Sequence, residues 1–156
     1  MKFSAQEEYG LRCLIRIGKF YRVGKSLTIP EISRAEGLTE HNTGKILRVL
    51  RLGGFLTAGR GQLGGYTLSR PPEEISIGDI LTVLGGKLYD DTFCQMHSGT
   101  TDFCTNTIDC SVRSLWRVIQ DSVDSVISNM TLNDLLGSEK YLFEIVSSHN
   151  SKIASN

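Results

Sequence analysis

A mainly α-helical chain with one small β-hairpin wing, arranged as a winged helix-turn-helix plus a long dimerisation helix, is the fold this 156-residue sequence predicts. Three observations predict it. Two capping boxes and a glycine turn place three helices in the first third of the chain. Two short extended runs flank a glycine-rich tip at 59–65. An apolar stripe at three- and four-residue steps runs from Leu115 to Met130.

Ser4-Ala5-Gln6-Glu7 sets serine at a helix cap with glutamate three residues on. Tyr9, Cys13, Ile17, Phe20 and Tyr21 follow at helical spacing, which predicts a helix from about Ala5 to Arg22. Thr28-Ile29-Pro30-Glu31 is a second box, with Pro30 in the first turn, where its missing N–H costs nothing. That helix runs to about Glu36, and Gly37 ends it. Thr39 caps a third helix, which carries Ile46, Leu47, Val49 and Leu50 and stops at Gly53-Gly54. The last two helices, joined by a tight turn, make a helix-turn-helix. Phe55–Ala58 and Tyr66–Leu68 read as the strands of the hairpin.

Pro71-Pro72-Glu73-Glu74 breaks the pattern and marks a boundary. It divides the chain into a winged helix at 1–72, a second segment at 73–137 and a polar tail at 138–156. Ser76-Ile77-Gly78-Asp79 opens a short helix with Ile80, Leu81, Val83 and Leu84, stopped by Gly85-Gly86. A loop spans roughly 89–111. From Val112 a helix of about five turns carries Leu115, Trp116, Ile119, Val123, Val126, Ile127 and Met130 on one stripe. Such a stripe is too long for a chain this small to cover, so it is expected to pack against its copy in a homodimer. The alternative is packing back onto its own winged helix. Thr131–Leu136 reads as a last short helical turn, and 138–156 as a tail, disordered or loosely docked, with an apolar patch at Leu142, Phe143, Ile145 and Val146.

Formal net charge is zero, yet the chain is polarised. Residues 1–70 hold 12 of the 17 Lys and Arg and only 5 of the 17 Asp and Glu, and the remainder reverses the balance. A basic first half is the footprint expected for a polyanion partner or an unevenly charged solvated surface, and the helix-turn-helix favours the first, with double-stranded DNA as the partner. No run approaches the length of a membrane span. MKFSAQEEYG has neither the apolar core nor the cleavage site of a signal peptide, which places the protein in the cytoplasm. That reducing compartment disfavours a structural disulfide between any of the four cysteines.

Three of those cysteines, Cys94, Cys104 and Cys110, sit in the polar loop FCQMHSGTTDFCTNTIDC. Structural cysteines behave as small core hydrophobes, and this loop offers little apolar surface to bury them. Soft thiolates select iron–sulfur clusters, zinc or copper(I). The C-x9-C-x5-C spacing lacks the close pair usual in structural zinc sites. Wide spacing on a flexible loop suits a bulkier cluster, of the 4Fe-4S or 2Fe-2S type. Glu8, His97 and Asp109 are candidates for a fourth ligand, while Cys13 lies on an apolar helix stripe and reads as core.

The exposed face of the third helix offers Thr39, Glu40, His41, Asn42, Thr43 and Lys45, with Arg48 and Arg51 extending the basic strip. Hydroxyl and amide groups can meet base edges, and lysine a phosphate. Arg60, between glycines at the hairpin tip, is placed to enter a narrow minor groove.

MKFSAQEEYGLRCL, IPEISRAEGL, GRGQLGGYTLSRPPEEISIGDIL, the cysteine triplet before SLWRVIQ and the late TLNDLL together resemble one bacterial family. It is the winged-helix repressor family that includes the iron–sulfur regulator IscR, the nitric-oxide sensor NsrR and the iron regulator RirA. The resemblance spans about residues 1–137. It implies a homodimeric transcription regulator whose DNA affinity depends on a cluster bound by the three cysteines, sensing redox, nitric oxide or iron status. It also implies that Arg60 contacts DNA; some NsrR-like members use an acidic residue at the place of Glu8, donated across the dimer, which keeps Glu8 ahead of His97 as a fourth ligand. Two features depart from the pattern. The first cysteine gap is longer than usual, and Arg113 stands where IscR-like members carry histidine. A protonated guanidinium cannot ligate iron.

Two rival readings share the same residues. One is a cluster-free winged-helix regulator that senses oxidants at its thiols; the other is an interaction module with a zinc-stabilised loop. An enzyme is not expected, because no nucleophile–base motif, phosphate-binding loop or HExxH occurs.

Overall fold

The computed structural model describes residues 3–59, 61, 64–90, 92–100 and 102–153. In chain order these form α1 (Ala5–Tyr21), α2 (Ile29–Glu36), α3 (Glu40–Leu52), β1 (Leu56–Gly59), β2 (Gly65–Leu68), a 3-10 turn (Pro72–Glu74), α4 (Ile77–Gly85), α5 (Phe93–Met96), α6 (Ser111–Ile127), α7 (Leu132–Leu135) and α8 (Glu139–Ile153). The mainly helical architecture with one antiparallel hairpin is the expected one.

Local chemistry sets the helix ends. Ser4 Oγ accepts from the Glu7 N–H while the Glu7 carboxylate accepts from the Ser4 N–H, and Thr28 and Glu31 repeat the exchange. Thr39 Oγ1 accepts from the Asn42 N–H at 3.2 Å. Gly37 closes α2 at φ +67°, a left-handed conformation that favours glycine. β1 and β2 pair in register from Leu56 opposite Leu68 to Gly59 opposite Gly65. Leu27 adds a single-residue bridge, exchanging backbone hydrogen bonds with Tyr66 at 3.0 and 2.7 Å.

One core runs through the described residues. Cys13, Leu14 and Ile17 of α1 meet Ile32, Leu47, Leu50 and Phe55, and also Ile75, Ile80 and Leu132. Packing is therefore continuous across Pro71-Pro72, and Pro72 is itself buried. Backbone bonds from Ile77 N to Met130 O and from Leu132 N to Ile75 O pin the start of α4 beside α7. α1 brings neighbours close through two glycines: Leu84 methyl carbons seat over Gly10, and those of Leu136 over Gly18.

Within the expected tail, Glu139–Ile153 form a helix, α8. The Tyr141 N–H donates to Ser138 Oγ at 3.2 Å, and α8 packs on α6 and α7. Leu142, Ile145 and Val146 recur at three- and four-residue steps and lie half-buried, while Phe143 points outward.

Two glycine substitutions should move stability in opposite directions. A Cβ at Gly44, inside α3, would meet only Ile29 Cδ1 at 3.6 Å, an ordinary contact. Gly44→Ala should stabilise the fold by about 0.5–1 kcal/mol through helix propensity. A Cβ at Gly65 would lie 2.9 Å from the Leu27 carbonyl carbon and oxygen, at φ +149°. Gly65→Ala should cost about 1–3 kcal/mol. Urea denaturation of both variants checks the pair of signs.

Candidate thiol site and nucleic-acid interface

The helix-turn-helix presents one face outward and is fixed to α1 on the other. Glu36, at the end of α2, is nearly buried between two arginines of α1. Arg12 Nε donates to Glu36 Oε2 at 3.1 Å, Arg16 Nε to Oε1 at 2.7 Å, and Arg12 Nη2 to the Glu36 carbonyl at 2.5 Å. The clamp neutralises a buried carboxylate and satisfies an end carbonyl of α2.

On the outward face, Thr39, Glu40, His41, Lys45, Arg48 and Arg51 are exposed and Asn42 is half-buried. Arg60 lies outside the described residues. Thr43 requires a correction: it is 0 % exposed. It stands one turn before Ile46 and Leu47 and two before Leu50, on the face of α3 that enters the core. Its Oγ1 is buried with no hydrogen-bond partner among the described residues. Thr43 is thus a core position and not part of the exposed face of α3.

The three loop cysteines occupy different elements. Cys94 is on α5, Cys104 is in the following loop, and Cys110 is the N-cap of α6. All are free and half-buried. Cys110 Sγ accepts from the Arg113 N–H at 3.3 Å, and the Arg113 guanidinium reaches the Thr107 carbonyl at 3.1 Å. Arg113 thus braces the loop where a histidine ligand was absent. Cys94 Sγ lies 3.7 Å from the hydroxyl of Tyr89, and this hydrogen bond raises the phenol above its usual range, helped by burial. Cys13 differs in kind: burial foremost, then the nearby Glu36 charge, push its thiol up to about 12.

Other candidates are placed less centrally. His97 is exposed, with Nδ1 on the Phe93 carbonyl at 2.8 Å and its ring stacked on Phe93 at 4.2 Å. Glu8 is exposed in the first turn of α1, and Asp109 is exposed in the loop. Among the described residues, no three His, Cys, Asp or Glu side chains are grouped to hold an ion. The donor chemistry nevertheless suits a soft inorganic centre: three free thiols, on half-buried residues, share one segment.

The stripe on α6 divides. Ile127 and Met130 pack on the core, Ile119, Val123 and Val126 are half-buried, and Leu115 and Trp116 are 54 % and 38 % exposed. A groove of about 290 Å³ lies between α4 and α6, lined by Phe3, Leu81, Leu88, Val123 and Ile127. Sequence reasoning missed two residues here. Gln120, 7 % exposed, is the one buried residue among those described in α6, and Tyr89 is buried in a loop whose other described residues are exposed or half-buried. The signal for Tyr89 was its large aromatic ring amid polar neighbours; a glutamine on a long helix gave none.

A family model, Rrf2, described as an iron-dependent transcriptional regulator, matches residues 3–138. The chain belongs to the Rrf2 family. It is 30 % identical over 150 residues to the HTH-type transcriptional regulator CymR of Bacillus subtilis (strain 168), covering 93 % of this chain and all of that one. The solved structure of B. subtilis CymR, the global cysteine regulator, superposes with a TM-score of 0.68 at 29 % identity over 87 % of this chain and 96 % of that chain. T. potens IscR gives 0.67 at 28 % identity over 87 % and 86 %. The oxidised form of Staphylococcus aureus CymR gives 0.67 at 28 % over 88 % and 98 %. This Rrf2 member is accordingly a DNA-binding transcription regulator and not an enzyme. No helix of its described residues is long and apolar enough to cross a membrane.

Under native reducing conditions iodoacetamide should label Cys94, Cys104 and Cys110, and Cys13 only after unfolding; peptide mass spectrometry resolves the four sites. Thr43→Val should leave affinity for a bound DNA duplex unchanged. It should also raise stability by about 1 kcal/mol, because it removes a buried, unpartnered hydroxyl.

Proposed function

We propose that this Rrf2 regulator is a cytoplasmic homodimeric repressor whose operator affinity is set by an iron–sulfur cluster held on Cys94, Cys104 and Cys110. The observation that carries the reading is the contrast among the four cysteines. One is sealed in the core, while three free, half-buried thiols share the loop that leads into α6. Three soft donors on one segment are a multidentate set, more than a single reactive thiol needs.

In this reading Glu8 of a second copy supplies the fourth ligand, and His97 is the less favoured substitute. A carboxylate oxygen is a hard donor among soft ones, so its bond is the weakest of the set. The cluster, when bound, supplies a centre whose gain, loss or change of charge registers redox, nitric-oxide or iron status. The chain's own residues carry the rest. Leu115 and Trp116, with Ile119, Val123 and Val126 beside them, provide an apolar seam for the second copy, continuous with the stripe that Ile127 and Met130 anchor at home. α1 bears Glu8 and is clamped to the end of α2 through Glu36, so a pull on α1 reaches the reading head. Lys45 and Arg48 meet phosphates, Thr39, His41 and Asn42 meet base edges or sugar-phosphate, and Arg60 enters the minor groove.

A second reading has its own support. The three sulfurs do not stand grouped around a common point, and the chain is similar to CymR, one of whose solved structures is an oxidised form. It is a regulator of the same architecture that senses oxidants by thiol chemistry without a cluster.

Anaerobic purification from iron-replete cells separates the two. The cluster reading expects visible absorbance with iron and acid-labile sulfide, all lost in Cys94→Ala, Cys104→Ala and Cys110→Ala; colourless, sulfide-free protein rejects it in favour of the thiol reading. Arg60→Ala should weaken DNA binding and lower the slope of log affinity against log salt by about one. An unchanged slope removes Arg60 from the interface.

A further inference from the structure

Between the cysteine loop and α6 lies a short chain of contacts that neither reading uses. Tyr89 is 7 % exposed, although Lys87, Leu88 and Asp90 around it are open to solvent. Its backbone N–H donates to Gln120 Oε1 at 3.0 Å. The other end of that carboxamide is also engaged, Gln120 Nε2 donating to Asp124 Oδ1 at 2.8 Å, and Asp124 faces Lys87 Nζ at 3.5 Å. The loop is therefore tied to the middle of α6 at Tyr89. On its far side the Tyr89 ring packs on Phe93, centroids 5.4 Å apart, and its hydroxyl reaches Cys94 Sγ at 3.7 Å.

A tyrosine whose ring is buried turns its hydroxyl to a partner, and here the partner is sulfur. A hydroxyl donates more strongly to an anionic acceptor than to a neutral one. The Tyr89–Cys94 contact thus fixes the direction of the sulfur and responds to whatever that sulfur holds. Hydrogen bonds to cysteinyl sulfur also set the properties of any centre that the sulfur holds.

We propose that Tyr89 is a positioning residue that orients Cys94 through its hydroxyl and, through its backbone bond to Gln120, ties the state of that sulfur to α6. The proposal rests on the reading that Cys94 carries the signal. It holds whether the sulfur acts as a cluster ligand or as a bare thiol.

Tyr89→Phe keeps the ring and removes only the hydroxyl. In the cluster-free full-length chain, compared at the high-pH plateau of the labelling rate where ionisation no longer limits it, iodoacetamide should label Cys94 of this variant faster than in wild type, because sulfur relieved of a hydrogen bond is the better nucleophile. The expected factor is about two to ten, the span of one ordinary hydrogen bond. Cys104 and Cys110 serve as internal controls and should keep their rates. Gln120→Ala cuts the tether and leaves the hydroxyl. It should produce the same selective rise, with faster amide hydrogen exchange at residues 87–90. Cluster-loaded Tyr89→Phe should show shifted iron–sulfur stretching bands by resonance Raman. Wild-type labelling of Cys94 in Tyr89→Phe overturns the orienting role, and wild-type labelling and exchange in Gln120→Ala overturn the tether. If no cluster can be loaded, the cluster reading falls, and the labelling experiment still judges Tyr89.

Discussion

Cys13, Leu14 and Ile17 leave no surface to solvent, and Gly10 and Gly18 lie at the two ends of the same buried face of α1. Each of the larger side chains contributes about 1.5–3 kcal/mol by leaving water. The glycines let Leu84 of α4 and Leu136 beyond α7 approach the α1 backbone directly. α1 touches α2, α3, α4, α7 and β2, so it supports both the reading head and the elements that follow the wing. A bulkier residue at Gly10 or Gly18 would displace α4 or the α7 turn, and with them the start of the path toward the cysteine loop.

The loop beyond α4 is built on different physics. Its residues are mostly exposed, and α5 has four residues, so few apolar contacts hold it. Order comes from individual polar bonds: Arg113 on the Thr107 carbonyl, Asp90 with Thr92, and Tyr89 on Gln120. Segments of this kind open at low free energy. That suits the sulfur chemistry proposed for it, and contrasts with Cys13, whose thiol is held neutral inside the core.

Most of the fold was legible because its signals are local. Capping boxes at Ser4 and Thr28, the glycine stop at Gly37 and the glycine-rich hairpin each act within a few residues, and each lies where the sequence places it. Thr43 carries two opposed signals, a hydroxyl suited to DNA and a spacing to Ile46, Leu47 and Leu50 that points inward, and the spacing wins. α8 was overlooked although Ser138 and the steps among Leu142, Ile145 and Val146 carry a helix signal, because the surrounding Ser, Lys, Asn and His dilute it. Gln120 was not legible at all, since its burial depends on a loop that arrives from 31 residues away. The cysteines were easy to find, but their relative placement was not, because no local rule fixes a loop held by scattered polar bonds.

The clamp on Glu36 has a mechanical consequence. With two guanidiniums of one helix gripping the last residue of the next, the base-reading unit has no hinge of its own at that joint. Its shape is stiff, and only its pose as a whole is adjustable. In the homodimer proposed above, the quantity left to vary is the separation and tilt of two rigid bodies, measured against a helical repeat of about 34 Å.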